Sequence, residues 1–167
     1  YFRDFIRNFR ELVFDNHIAP IKEFGRRLGL SLSIEPYDLN PTADLALGGL
    51  ADVPMCEFWA RGHGFLTDYS VFEAVSIAHT LGKSTVGAEC FTSDASERWL
   101  EYPGSMKEQG DWALAAGVNR FVFHTYQHQP KLDEYPGMTM VIHGVHWGRT
   151  QTWWDLASGY HTYLSRC

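Results

Sequence analysis

Apolar side chains recur at helical spacing from the second residue onward. Phe2, Phe5, Ile6, Phe9, Leu12 and Val13 follow the i, i+3, i+4, i+7 rhythm of an amphipathic helix, and Ile18, Ile21, Phe24 and Leu28 carry a second stretch up to Gly29. Pro20 fits the first turn of that stretch, where a missing N–H costs nothing. LSLSIE, from Leu30 to Glu35, then reads as a strand, followed by the loop PYDLNPTAD, a weak helical segment around Leu45 to Leu50, and a second strand in VPMCEFW, Val53 to Trp59. Ser70 and Glu73 match a capping box ahead of the stripe Val71, Ala74, Val75 and Ala78, and Gly82 closes that helix. STVGAEC, Ser84 to Cys90, predicts a third strand. Ser105 and Glu108 match a second capping box on a helix ending at Gly117, and NRFVFH, Asn119 to His124, a fourth strand. A long loop rich in His, Pro and Gly leads to a last helix with Trp153, Ala157, Tyr160, His161 and Leu164 on one face.

Four strands that each give way to a helical segment predict a parallel α/β sheet of βαβ units. The strand ends add to this: Glu35, Glu57 and Glu89 close three of them and His124 the fourth. In (β/α)8 barrels the active site lies at the C-terminal ends of the strands, so the expected architecture is a partial (β/α)8 TIM-type barrel of about four βα units. A whole barrel takes about 250 residues, and this chain has 167. Residues 1–167 are thus expected to be a single partial domain, the C-terminal half of a catalytic barrel. The chain also opens inside a helical pattern without an initiator Met, which agrees with a piece of a longer polypeptide. An open doubly wound sheet is the competing layout, but no Gly-rich turn follows the first strand.

Composition narrows the function classes. A formal charge of −6 excludes a basic nucleic-acid footprint, and no apolar run approaches the roughly 20 residues of a membrane helix. Three cysteines without CxxC spacing predict neither a zinc site nor a disulfide framework. Strand alternation turns Cys56 and Cys90 away from the face of Glu57 and Glu89, as inert core thiols.

Glu89, at the end of an apolar strand among small residues, is the first catalytic candidate, since burial there raises a carboxyl pKa toward the range useful for proton transfer. A structural Glu paired with an Arg is the alternative. Glu57 repeats the arrangement one βα unit earlier. Carboxylates on neighbouring strands, about 5 Å apart, repel unless one is protonated or a cation such as Ca²⁺ lies between them. The plainer reading bonds Glu57 to Arg61 or to a loop amide. Aromatic residues make up 15% of the chain. Among them Trp59, at a strand end, and Trp147, in the loop before the final helix, are candidates for stacking on a sugar, whereas Trp153 and Trp154 fall in a helical pattern that favours the core for at least one of them. His124 suits a sugar hydroxyl or a buried carboxylate. His143 and His146 contribute from the last loop or are structural, and His124 with His128 lacks further ligands for zinc.

The segments PMCEFW, GAECFTS, YPGSMKEQGDWALAAGVNRFVFHTYQHQP and PGMTMVIHGVHWGRTQTWW resemble the C-terminal part of the catalytic barrel of glycoside hydrolase family 106, the α-L-rhamnosidases. The resemblance implies a calcium-dependent enzyme that inverts the anomeric centre while removing terminal α-L-rhamnose from oligo- or polysaccharides. It implies catalytic roles for Glu89, as general base, and for Glu57, at the calcium or the substrate; the substrate-contact candidates His124, Trp59, Trp147 and His146 come from the reading of the residues themselves. It further implies a periplasmic or extracellular setting and a partner in the upstream half of the same polypeptide, which would carry the general acid and leave this piece inactive alone. A carbohydrate-binding module without catalysis is the alternative from another class.

Overall fold

The computed structural model describes residues 1–37, 44–64, 67–131, 133–134, 137 and 143–167. Most of the loop expected after Glu35 and the middle of the loop expected after the fourth strand lie outside the described residues. The chain begins with α1 (Phe2–Val13), passes through a π-helical turn (Phe14–Ile18) and continues as α2 (Ala19–Arg27), with Pro20 in the first turn of α2. The two expected helical stretches are therefore continuous. Their apolar stripe, Phe2, Phe5, Phe9, Leu12, Ile21, Phe24 and Leu28, is exposed. Lys22 ties α2 to the rest through the carbonyl of Leu50 and the carboxylate of Asp52.

The core alternates strand and helix: β1 (Ser33–Ile34), α3 (Asp44–Leu50), β2 (Val53–Trp59), α4 (Asp68–Thr80), β3 (Gly87–Thr92), α5 (Pro103–Ala116) and β4 (Arg120–Phe123). A 3-10 turn (Trp154–Leu156) precedes α6 (Ala157–Leu164). The sheet is parallel throughout in the order β1-β2-β3-β4. Helix α3 packs on α4, and α4 on α5, so the crossover helices share one face of the sheet. Sequential order with helices on one side is the layout of a barrel wall; a doubly wound sheet reverses order and is covered on both faces. The α/β expectation of a partial barrel therefore holds. Among the described residues no helix is long and apolar enough to cross a membrane.

Alternation assigns the two faces. Toward the helices, Cys56, Phe58, Ala88 and Cys90 are buried with Val71, Ala74, Ala78, Met106 and Ala113. Phe58 meets Phe91, Trp112 and Phe121 edge to face, and Phe91 stacks on Phe121 and Phe123. Phe91 is an extra residue between the pairs Phe58↔Cys90 and Trp59↔Thr92, with φ 63°. This bulge turns Phe91 into the core and lets β3 run two residues past its expected end. The opposite face carries Met55, Glu57, Trp59 and Glu89, half-buried, and Val122, exposed.

Two capping expectations need correction. Ser105 is the third helical residue of α5; Tyr102 is the N-cap, and its N–H donates to the Ser105 hydroxyl at 3.0 Å. Helix α4 starts after Thr67, and Ser70 lies inside it. Among the described residues β1 pairs only with Val53 and Pro54, and none of them gives the later part of β2 a strand partner on that side. Ser70 replaces one: its hydroxyl accepts from the Glu57 N–H at 3.2 Å and donates toward the Glu57 and Thr67 carbonyls. The Trp59 N–H donates to Thr67 Oγ1 at 3.3 Å.

Ser70→Ala strips partners from buried backbone groups, and such groups cost about 1–3 kcal/mol when left unsatisfied. Denaturant unfolding is expected to show a loss of that size, whereas a change below about 0.5 kcal/mol would mean that the Ser70 bridge is dispensable.

Candidate active site

The register of β2 and β3 sets the geometry of the site. Glu57 is the direct partner of Glu89, and Glu89 of Val122, so the two carboxylates stand side by side on neighbouring strands and on the face away from the helices. Glu35, just past β1, reaches the same cluster, since the charges of both Glu89 and Glu57 act on it. Arg61 does not pair with Glu57; its guanidinium meets Glu108 at 3.4 Å and covers the Trp112 ring. Among the described residues no lysine or arginine forms an ion pair with Glu35, Glu57 or Glu89.

Tyr37 connects two of the three. Its hydroxyl lies 2.5 Å from Glu57 Oε2, to which it donates, and 3.3 Å from Glu35 Oε2. Burial first, and then the bond to Glu57, hold the phenol in its protonated form. Burial, reinforced by the charge of Glu89, pushes the Glu35 carboxyl up to about 7. Burial and the neighbouring charges thus favour the neutral form of Glu35 below about pH 7. Glu89 has two further neighbours: Thr92 Oγ1 at 3.4 Å and His124 Nε2 at 3.9 Å. The thiols on the opposite face are inert, Cys56 raised to about 12 and Cys90 raised well above the usual thiol range, both mainly by burial.

Loops from β2, β3 and the region after β4 stand over the strand ends. Trp59 packs edge-on against His143, with ring centroids 5.8 Å apart. Gly64, at φ 111°, is required beside it, because a Cβ there would lie 1.8 Å from the indole. Gln109 of α5 fixes the exit of β2, donating to the Trp59 carbonyl at 2.6 Å and accepting from the Arg61 N–H at 3.1 Å. The Gly144 N–H donates to the Ser93 carbonyl and the Val145 N–H to that of His124, which lays the HGVH segment across the ends of β3 and β4.

A parallel sheet wall with three carboxylates at successive strand ends offers groups suited to acid and base work, and comparison with known proteins gives the family. The model of glycoside hydrolase family 106, described as alpha-L-rhamnosidase, matches residues 1–167. The chain belongs to this family. The structure is similar to that of a rhamnosidase from Novosphingobium sp. PP1Y, with a TM-score of 0.84 and 27% identity, over 98% of this chain and 16% of that one. A protein of Formosa agariphila named "Putative beta-glucuronidase" is 40% identical over 98% of this chain and 14% of its own length. The chain thus spans 14% and 16% of the length of these two relatives.

Within this family chain, Glu57, Glu89, His124 and Trp59 are brought to one end of the sheet, as expected. Trp147 and His146 are corrections. Trp147 is only 4% exposed: its ring stacks on Phe123 at 4.2 Å and its Nε1–H faces His161 Nε2 at 3.1 Å, so it is a core residue with both surface and donor engaged. His146 stacks on Trp99 at 3.9 Å and lies 3.9 Å from Glu97, and burial lowers its pKa. It is occupied with backing a rim residue. Trp153 and Trp154 both pack against the core. Tyr37, Glu97 and Trp99 were missed. The i, i+2 spacing of Glu35 and Tyr37 was the available signal for the first; nothing local marks the other two.

The raised pKa of Glu35 has a consequence for stability. Its folded value, about 7, lies above the ordinary 4.5, so the folded chain holds the extra proton between these limits and loses that contribution as pH rises through them. In chelator-treated buffer, Glu35→Gln, which mimics the protonated carboxyl, is expected to flatten the decline in stability between about pH 4.5 and about 7. An unaltered pH profile of unfolding would show an ordinary carboxyl.

Proposed function

We propose that this chain forms part of the catalytic domain of an enzyme that hydrolyses terminal α-L-rhamnosides of oligo- or polysaccharides, with inversion and with calcium assistance. The observation that carries the proposal is the trio of carboxylates at successive ends of a parallel sheet in an alpha-L-rhamnosidase family chain. Glu89 is the general base. It takes a proton from the water that attacks the anomeric carbon, while a carboxylic acid on the other side of the ring protonates the departing oxygen. An inverting pair stands roughly 6.5 to 9.5 Å apart to leave room for that water. Glu57, in register with Glu89 on the next strand, is too close a neighbour for this role, so the acid is assigned to another part of the polypeptide, and this piece alone is expected to be inactive. His124 and Trp59 are assigned to the sugar, by hydrogen bonding and by stacking.

The donor chemistry suits a hard cation: carboxylate oxygens, excess negative charge and, among the described residues, no lysine or arginine paired with them. Among the described residues no group of three or more His, Cys, Asp or Glu is arranged as a metal cage. Glu57 would therefore hold calcium together with sugar hydroxyls or donors from the rest of the polypeptide, and the ion would supply charge neutralisation and hold the sugar in place. The glucuronidase name of one relative suggests an anionic substrate, but among the described residues the three glutamates form no ion pair with an arginine or lysine, which disfavours a uronate and favours a neutral deoxy sugar. A periplasmic or extracellular setting belongs to the same proposal.

In the full-length enzyme, Glu89→Gln is expected to lower turnover of a rhamnoside by about 10²- to 10⁴-fold, with sugar affinity within a few-fold of the parent. Turnover within a few-fold would sink the base assignment and leave a carbohydrate-binding module as the better reading. Exhaustive chelation is expected to weaken rhamnose binding and slow hydrolysis, both restored by added calcium. Activity and affinity that survive complete metal removal would eliminate the cation.

A further inference from the structure

Trp99 lies in the loop between β3 and α5, downstream of Glu89, and the reading above gives it no role. Its backbone is costly to hold. Arg98 and Trp99 are consecutive non-glycine residues with φ 51° and 61°, a left-handed pairing that persists only when its surroundings impose it. The carboxylate of Glu97 imposes it here. Glu97 is 1% exposed and accepts from the Trp99 N–H at 2.9 Å and the Glu101 N–H at 2.7 Å. The His146 ring stacks on one face of the indole, 3.9 Å between centroids and 25° between planes. Trp99 nevertheless remains 39% exposed. A buried carboxylate, a strained dipeptide and a histidine thus together present an indole to solvent.

The position of this indole suggests its ligand. The HGVH segment that carries His146 is bonded to the carbonyls of His124 and Ser93, so Trp99 stands on the layer of loops above the strand ends where Glu57, Glu89 and His124 lie. A terminal sugar at the carboxylates leaves the next ring of the glycan to extend outward to this rim. We propose that Trp99 is a stacking platform for that next ring, on the leaving-group side of the scissile bond. The flat apolar indole matches the C–H face of a pyranose, and its fixed backbone and backed rear face lower the ordering cost of the contact. The choice of ring rests on the rhamnosidase reading; the presence of a sugar platform does not.

The test uses the full-length enzyme with two probes, a disaccharide of α-L-rhamnose on glucose and methyl α-L-rhamnoside. Trp99→Ala is expected to raise KM for the disaccharide about tenfold with kcat within about twofold, to leave methyl rhamnoside unaffected, and to be largely rescued by Trp99→Phe. An equal effect on both probes, or none on either, overturns the platform. So does a lower Tm with unchanged kinetics, which would mean that another part of the polypeptide covers the indole. If the parent cleaves neither probe, calorimetric titration with the disaccharide decides: weaker binding by Trp99→Ala than by the parent keeps the platform and discards the rhamnosidase reading. Equal binding, or no binding by the parent, overturns the platform.

Discussion

Crowding of negative charge at the ends of neighbouring parallel strands is the constraint around which this chain is arranged. Parallel pairing in register places Glu57 directly beside Glu89, and Glu35 joins them from β1. Like charges at such separations disfavour full ionisation. The fold responds with a proton favoured on Glu35 below about pH 7, with the Tyr37 hydroxyl donated to Glu57, and with His124 within reach of Glu89. Neutralisation by a lysine or arginine would relieve the strain more simply but would occupy the oxygens that a sugar or a cation has to reach.

The two faces of the sheet divide structural and chemical tasks. The helix side is aromatic and dry, with Phe58, Phe91 and Phe121 in edge-on and stacked contacts and both strand thiols silenced by burial. The other side carries every carboxylate of the site. The part of β2 beyond its pairing with β1 is secured by Thr67 and Ser70, so the strand that bears Glu57 is held there by side chains. Stability and chemistry meet at this residue: its backbone belongs to the scaffold and its carboxylate to the site.

Above the strand ends, support comes from residues far apart in the chain. His143 and His146 each back a tryptophan from earlier in the chain, Trp59 at the end of β2 and Trp99 in the loop after β3. His63 links the loop after β2 to Ser96 and Glu101 of the loop after β3. Aromatic residues thus divide into a packed set around Phe123, Trp147 and Tyr160 and a supported set at the rim. Position in a loop did not separate the two, since Trp147 lies in a loop and is buried while Trp99 lies in a loop and is presented.

Much of the fold was legible in local pattern. Alternation in VPMCEFW and GAECF separated core thiols from carboxylates, and regular succession of strands and helices implied a parallel sheet whose C-terminal ends carry the polar residues. Pattern of this kind records how each residue meets solvent within its own element, and the sequence by itself determined that much: the elements, their faces and the strand-end carboxylates. The partners of those residues were decided only in the tertiary structure. Tyr37 on Glu57, Arg61 on Glu108, Trp147 on Phe123 and Trp99 on His146 join positions that no shared periodicity links. Which side chains meet depends on strand register and on where each crossover returns the chain, and these are set by packing of the whole sheet against its helices.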